Sequence, residues 1–329
     1  MNLRAVRGAQ CLLRAAAALA CLIAVSATQA QVWPGKPIRV INGNAPGGSA
    51  DATMRIIGDM VGRALGQQLV IENRAGASGG IAFDAVARAA PDGYTLLISA
   101  DSSLYQPIIK PSLPYSVEKS LTPITILTMQ PLVLAVHSSL GIKTVGELVA
   151  HAKASAAPLP YATPSSGGTQ TVVGEAFARS AGIRMTNIPY KGGGQAVGDL
   201  ASGQVPVAVL GSAPLLPHAA SGRVIMLAVA SKARSSVLPN VPSMAEAGYA
   251  GIDLSQWFAL LGPAGLPQSV LARLSVEFQR ALADPEVKRK LAVVGLEPVG
   301  GSPEEFARRV REEGAVWGRI AKEAGLRAD

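Results

Sequence analysis

The chain has 329 residues, 49% hydrophobic and 16% charged, with 35 Gly and 23 Pro; a disordered or fibrous protein is excluded, and the length suits about two domains that each bury a core. The formal net charge of +8 comes from scattered Lys and Arg with only 4% aromatics and no basic run beyond three residues, which argues against a nucleic-acid partner.

Arg4, Arg7 and Arg14 precede an apolar run, Ala15 to Val25, and a small-residue exit ending at Ala30. This is the pattern of a secretory signal peptide over residues 1–30, too short to span a membrane. With it leave three Arg and no acid, so residues 31–329 carry 27 Lys+Arg against 22 Asp+Glu, a mild +5. Cys11 and Cys21 leave too, so the exported chain has no disulfide framework and depends on core packing. Ala18-Leu19-Ala20 before Cys21 fits a lipidation signal poorly. The expected product is a soluble periplasmic monomer.

Ile38 to Ile41 reads as a strand, Asn42 to Gly48 as a loop, and Ala50, Met54, Ile57, Val61 and Leu65 as one face of a helix stopped by Gly66. A strand at Leu69-Val70-Ile71, a loop at Gly76 to Gly80, a helix through Ala82 to Ala89 and a strand from Tyr94 to Ile98 follow. Two successive βαβ units predict a parallel sheet covered by helices. The pattern restarts with strands at Leu132 to Val136, Tyr161 to Thr163, Thr186 to Tyr190, Val205 to Leu210 and Val224 to Ala230. Helices from Thr144, Gln170 and Gln195 separate them, and Ser243 with Glu246 predicts a short capped helix. A strand at Trp257 to Leu261 and three helical stretches close the chain, the last opened by Ser302-Pro303-Glu304-Glu305. Those last helices need a sheet to cover, so the chain is expected to return to its first domain. The predicted class is α/β with two lobes, each a mainly parallel sheet flanked by helices, joined by crossings near Thr128 to Val133 and Gly251 to Phe258. The domains are residues 31–130, 131–252 and, returning to the first, 253–329.

Ligands of open α/β sheets bind beyond the carboxyl ends of the strands. Three loops there are glycine-rich: Asn44-Ala45-Pro46-Gly47-Gly48-Ser49-Ala50-Asp51, Pro164-Ser165-Ser166-Gly167-Gly168-Thr169, and Lys191-Gly192-Gly193-Gly194. Each offers backbone N–H groups at a helix end carrying partial positive charge, which suits an anion. Gly43 to Gly48 has P-loop spacing, but Ser49 replaces the Lys. Gly76-Ala77-Ser78-Gly79-Gly80 matches a hydrolase nucleophile elbow in letters, but Asn73-Arg74-Ala75 intervene after the strand and none of His137, His151 and His218 is marked as partner. No cofactor, metal site or catalysis is expected.

Trp33-Pro34-Gly35-Lys36-Pro37-Ile38, Ala45-Pro46-Gly47-Gly48-Ser49 with Asp51, Glu72-Asn73-Arg74-Ala75-Gly76-Ala77, Ala90-Pro91-Asp92-Gly93-Tyr94-Thr95-Leu96, Leu113-Pro114-Tyr115, Pro189-Tyr190-Lys191-Gly192 and Pro239-Asn240-Val241-Pro242 with Glu246-Ala247-Gly248 together resemble the Bug family. Those are periplasmic solute-binding receptors of tripartite tricarboxylate transporter systems. The resemblance implies a type II periplasmic-binding-protein fold that closes on a small carboxylate and delivers it to membrane transporter subunits; a sensor that binds the same ligand but signals is the alternative. The contacts it implies are Ala45, Gly47, Gly48, Ser49 and Asp51 from the first lobe, and Ser165, Ser166, Gly167, Thr169, Lys191 and Gly192 from the second. Lys191 either touches ligand or holds its loop, and Tyr190 is a contact or a wall. Ser102 and Ser103 fall on a stretch that can face the cleft. Gly43 and Asn44 replace the usual Pro and aromatic residue, so Asn44 brings an amide to the site, while Gly211-Ser212 stand where relatives often carry an acid or amide.

Overall fold

A computed structural model describes residues 33–44, 46–109, 117–165 and 167–323. The expected signal peptide and two candidate contacts, Ala45 and Ser166, lie outside them. Chain contacts separate a leading unit, Met1–Lys36, from a main unit, Pro37–Asp329, to which the fold below belongs.

Strand β1 (Ile38–Asn42) feeds helix α1 (Ser49–Leu65). The helix buries Ala50, Met54, Ile57, Val61 and Leu65, and ends at Gly66 with φ +70°. β2 (Leu69–Asn73), a 3₁₀ turn at Ala77–Gly79, α2 (Gly80–Ala87) and β3 (Thr95–Ala100) follow, and β1 pairs in parallel with both β2 and β3. Next come α3 (Asp101–Ile109), α4 (Val117–Ser120) and a 17-residue strand, β4 (Leu121–His137). The second half of the chain runs α5 (Val145–Ala154), β5 (Leu159–Thr163), α6 (Thr169–Ala181), β6 (Met185–Pro189), α7 (Gly193–Ala201), β7 (Val207–Gly211), α8 (Ser212–Ala220) and β8 (Val224–Val229). β9 (Ser255–Pro263), α9 (Gln268–Ala283), α10 (Pro285–Val293), β10 (Glu297–Gly300) and α11 (Pro303–Glu323) complete it.

β4 belongs to both sheets. From Leu121 to Pro131 it pairs with β9, and part of that stretch with β10; from Leu132 onward it pairs with β7 and β8. The change of partner falls at Pro131, whose missing N–H would leave a gap in any continuous ladder. The strand order is β2-β1-β3-β9-β4-β7-β5-β6, with β8 and β10 also on β4. The sheets are therefore mixed rather than mainly parallel: β2-β1-β3 and β7-β5-β6 are parallel, whereas every pairing of β4 and β9 is antiparallel. The return strand β9 sits between β3 and β4 because the chain comes back against the strand by which it left.

The C-terminal helix covers the first sheet. Phe306 and Trp317 of α11 share a core with Ile41, Leu97 and Trp257, and Phe306 meets Trp257 edge-on at 5.7 Å. The second sheet is filled on one face around Tyr161, Phe177 and Leu148 and on the other around Leu200, Leu210 and Leu215. The expected helix after Ser243 is a turn. Its capping box does form, with Ser243 N–H on Glu246 (2.7 Å) and Glu246 N–H on Ser243 Oγ (3.1 Å), but Gly248 at φ +95° breaks the backbone within five residues.

Candidate functional site

The first two glycine loops have one design. Each leaves a parallel strand, β1 or β5, and each ends on a glycine N-cap, Gly48 at φ −80°, ψ 175° and Gly168 at φ −84°, ψ 176°. The preceding glycines take positive φ, +75° at Gly47 and +107° at Gly167, which L side chains rarely adopt. The N–H of each reaches forward four residues, Gly47 to Asp51 Oδ2 and Gly167 to Thr171 Oγ1, both at 3.2 Å. The first intrahelical bonds match as well, Ala52 N–H on Gly48 O and Val172 N–H on Gly168 O. Neither N-cap supplies a side-chain acceptor. Two helix N-termini thus present first-turn N–H groups with no capping side chain, the arrangement that attracts an anion. The third loop is a relative of the same kind: Gly192, at φ +146°, caps α7.

Side chains around the loops mostly hold the loops. Asp51 is 4% exposed. Burial works against its charge, but the Arg55 guanidinium at 2.8 Å and the Gly47 N–H outweigh it and hold the carboxyl below the usual range. Asn44 donates N–H and Nδ2 to Asn42 Oδ1 and accepts Asn73 Nδ2 on its carbonyl. Ser165 offers its carbonyl to the hydroxyls of Thr163 and Thr171. Tyr190 packs on the core of the second sheet and donates its hydroxyl to Asp199 on α7 at 2.7 Å; burial and that carboxylate push the phenol up to about 12. Lys191 is exposed.

Cross-links between the sheets join the three loops. The hydroxyls at matching positions, Ser49 and Thr169, each point to a buried polar residue of the first sheet or its helices. Thr169 Oγ1 donates to Asp101 Oδ2 at 2.6 Å, and Gln106 Nε2 donates to Gly167 O at 3.1 Å, both from α3. A Cβ added to Gly168 would lie 3.8 Å from Ser102 Cβ, and one added to Gly79 would lie 3.3 Å from Ser103 Cβ and 3.9 Å from Gly43 O. Ser49 Oγ donates to Gln130 Oε1 at 3.1 Å, and Ala213 N–H at the start of α8 donates to the same atom at 3.4 Å. Pro214 then lies beside Gly193 of the third loop. These links tie loop one, α3 with Ser102 and Ser103, loop two and loop three into one network of contacts across the junction of the two sheets.

Sequence reasoning missed Asp101, Gln106, Gln130 and Gln256. Gln130 stands on β4 one residue before the change of partner; its Nε2 donates to Gln256 Oε1 on β9 at 2.6 Å. A Cβ at Gly211 would collide with the Gln130 carboxamide, so the amide absent from position 211 arrives there from β4. The signal available was a glutamine directly before Pro131 and the apolar run Leu132 to Val136. Gly76 to Gly80 is no elbow: among the described non-glycine residues the positive φ belongs to Ala77, +47°, and not to Ser78. A surface groove of about 490 Å³ lies elsewhere, between β10 and α11, and its Arg308 and Arg309 are paired with Glu312 and Glu313. Among the described residues no group of three His, Cys, Asp or Glu could hold a metal ion, and no helix is long and apolar enough to cross a membrane.

Residues 53–326 match the family described as tripartite tricarboxylate transporter family receptor. Protein BugT of Bordetella pertussis is 34% identical over 303 residues, covering 91% of this chain and 92% of BugT. Among solved structures, R. palustris Rpa4515 with adipate superposes with a TM-score of 0.86 at 31% identity, covering 90% of this chain and 99% of that one. MatC from Rhodopseudomonas palustris with bound malate gives 0.81 at 29% identity, covering 88% and 99%.

Proposed function

The chain belongs to the family of tripartite tricarboxylate transporter receptors, and from that premise we propose that it is an exported receptor that closes on a small dicarboxylate and hands it to a membrane transporter. One observation carries the reading: two helix N-termini with matching glycine caps, one from each sheet, the second tied to α3 of the first sheet through Thr169–Asp101 and Gln106–Gly167 and the first tied through Ser49 to Gln130, where β4 passes between the sheets. A carboxylate between them would accept N–H groups from Gly48, Ser49, Gly168 and Thr169. Each hydrogen bond to a charged group contributes about 1.5–3 kcal/mol net, so four contribute about 6–12 kcal/mol, a range that spans the roughly 8 kcal/mol of micromolar binding.

The hydroxyls of Ser49 and Thr169 are donated inward, to Gln130 and Asp101, so the loop N–H groups remain the donors for the anion. Gly47 and Gly167 supply the backbone conformation, Asp51 and Thr171 hold it, and Tyr190 is a wall of the third loop. Ala45, Ser165, Ser166, Lys191 and Gly192 complete the proposed contact set, and Asn44 stands in for the aromatic lid. The adipate and malate of the two neighbours make C4 to C6 dicarboxylates the first class to test. We further propose that residues 1–30 are removed on export, that residues 31–130 with 253–329 and residues 131–252 form the two lobes, that the receptor is monomeric, and that it catalyses nothing. Calorimetric titration with a dicarboxylate panel tests the reading: one member should bind at micromolar affinity or better. If no di- or tricarboxylate binds, the reading fails.

A further inference from the structure

Asp101 opens α3 at the end of β3 and is 1% exposed. Its Oδ2 accepts the Thr169 hydroxyl at 2.6 Å, and its Oδ1 has no hydrogen-bond partner. Further along the same helix, Gln106 holds the carbonyl of Gly167. One helix of the first sheet therefore grips both the backbone of the second glycine loop and the first side chain of α6, and one of the two grips is a buried carboxyl that can take up a proton.

We propose that Asp101 is a positioning residue that acts through Thr169: it holds the second glycine loop against the first sheet, and it makes ligand capture proton-linked. The inference rests on the reading of that loop as part of the carboxylate site. Groups facing Asp101 come from three elements besides its own. Glu313 on α11 repels its charge and is itself ion-paired to Arg309 at 2.5 Å. Thr169 on α6 and Trp257 on β9 bring no titrating group. On its own helix, Tyr105 donates to Glu313 rather than to Asp101. Burial pushes Asp101 up to about 7, against the Thr169 hydroxyl, which favours the charged form. When the loop swings away the carboxyl meets water and returns toward about 3.9, the ordinary value. The gripped state thus binds the proton more tightly. It is favoured below pH 7, and the preference is lost as pH rises through 7.

Between pH 6 and pH 8 the grip, and with it the affinity for the best-binding dicarboxylate of the panel, should weaken about tenfold in the wild type. Asp101→Asn keeps an acceptor for Thr169 and removes the proton, so its affinity ratio between the two pH values should fall to about one. Thr169→Val, which keeps the carboxyl but cuts the link, should flatten the ratio as well. A tenfold ratio that persists in Asp101→Asn, or a wild type with no ratio, overturns the proposal. Small-angle scattering of ligand-free protein gives an arm independent of the ligand. The radius of gyration should grow from pH 6 to pH 8 in the wild type and stay constant in Asp101→Asn. If no carboxylate binds, the functional reading fails while this arm still decides the grip; a radius that does not change in the wild type refutes it.

Discussion

Gly167→Val should destroy binding while leaving the fold intact. At φ +107° a β-branched side chain is an outlier that costs about 1–3 kcal/mol, well within the 5–15 kcal/mol by which a protein is ordinarily stable. The melting temperature should fall by about 2–8 °C, at a few degrees per kcal/mol for a chain of this size. To relieve the strain the 167–168 peptide must rotate, which turns the Gly168 N–H away from the anion and displaces the Thr169 N–H that follows it. Two charge-assisted hydrogen bonds at about 1.5–3 kcal/mol each correspond to a loss of at least about 100-fold in Kd. Gly182→Val is the matched control. Gly182 caps the other end of α6 at φ +61°, and a Cβ there would meet nothing within 4 Å, so it should lose comparable stability and keep its affinity. Calorimetric titration and thermal melting on the pair check both numbers. Equal affinity losses in the two variants, or wild-type binding by Gly167→Val, would refute the reasoning.

Gly211→Ala should displace the Gln130 carboxamide and break its bonds to Ser49, Ala213 and Gln256. About 2–3 kcal/mol of stability goes with them, and an unchanged urea midpoint contradicts it. Asp51→Asn should lower the melting temperature more at pH 6 than at pH 3: the folded carboxyl titrates below its ordinary range, so its contribution is full above about pH 4 and is lost progressively as pH falls through the folded value. A difference that stays constant with pH would show that the charge contributes nothing. Tyr190→Phe removes the bond to Asp199 and should cost about 1 kcal/mol with less than a twofold change in affinity; a larger loss of affinity would make Tyr190 a contact rather than a wall.

The glycine loops and the crossing near residue 131 were legible because they depend on local chemistry. Gly-Gly ahead of a periodic apolar run sets a helix start, and Pro131 marks a break in a ladder. The α3 helix escaped notice: Asp101 to Ile109 contains Pro107 and two serines, and it is held by Tyr105 packed against Trp257 and Trp317 rather than by propensity. The first half of β4 was hidden by Pro123 and Thr residues that read as loop, and it is a strand because β9 and β10 flank it. Ser243 with Glu246 gave a true capping box and a false helix, because a cap fixes a start and not a length. The residues that join the sheets, Asp101, Gln106, Gln130 and Gln256, have partners at separations of 61 to 126 positions in the chain, beyond any local pattern.

The most direct measurement is a crystal structure with the dicarboxylate that binds tightest. The account predicts one ligand carboxylate enclosed at the junction of the two sheets, accepting N–H groups from both α1 and α6 first turns. A ligand held by side chains alone, or one seated in the groove beside α11, would contradict it.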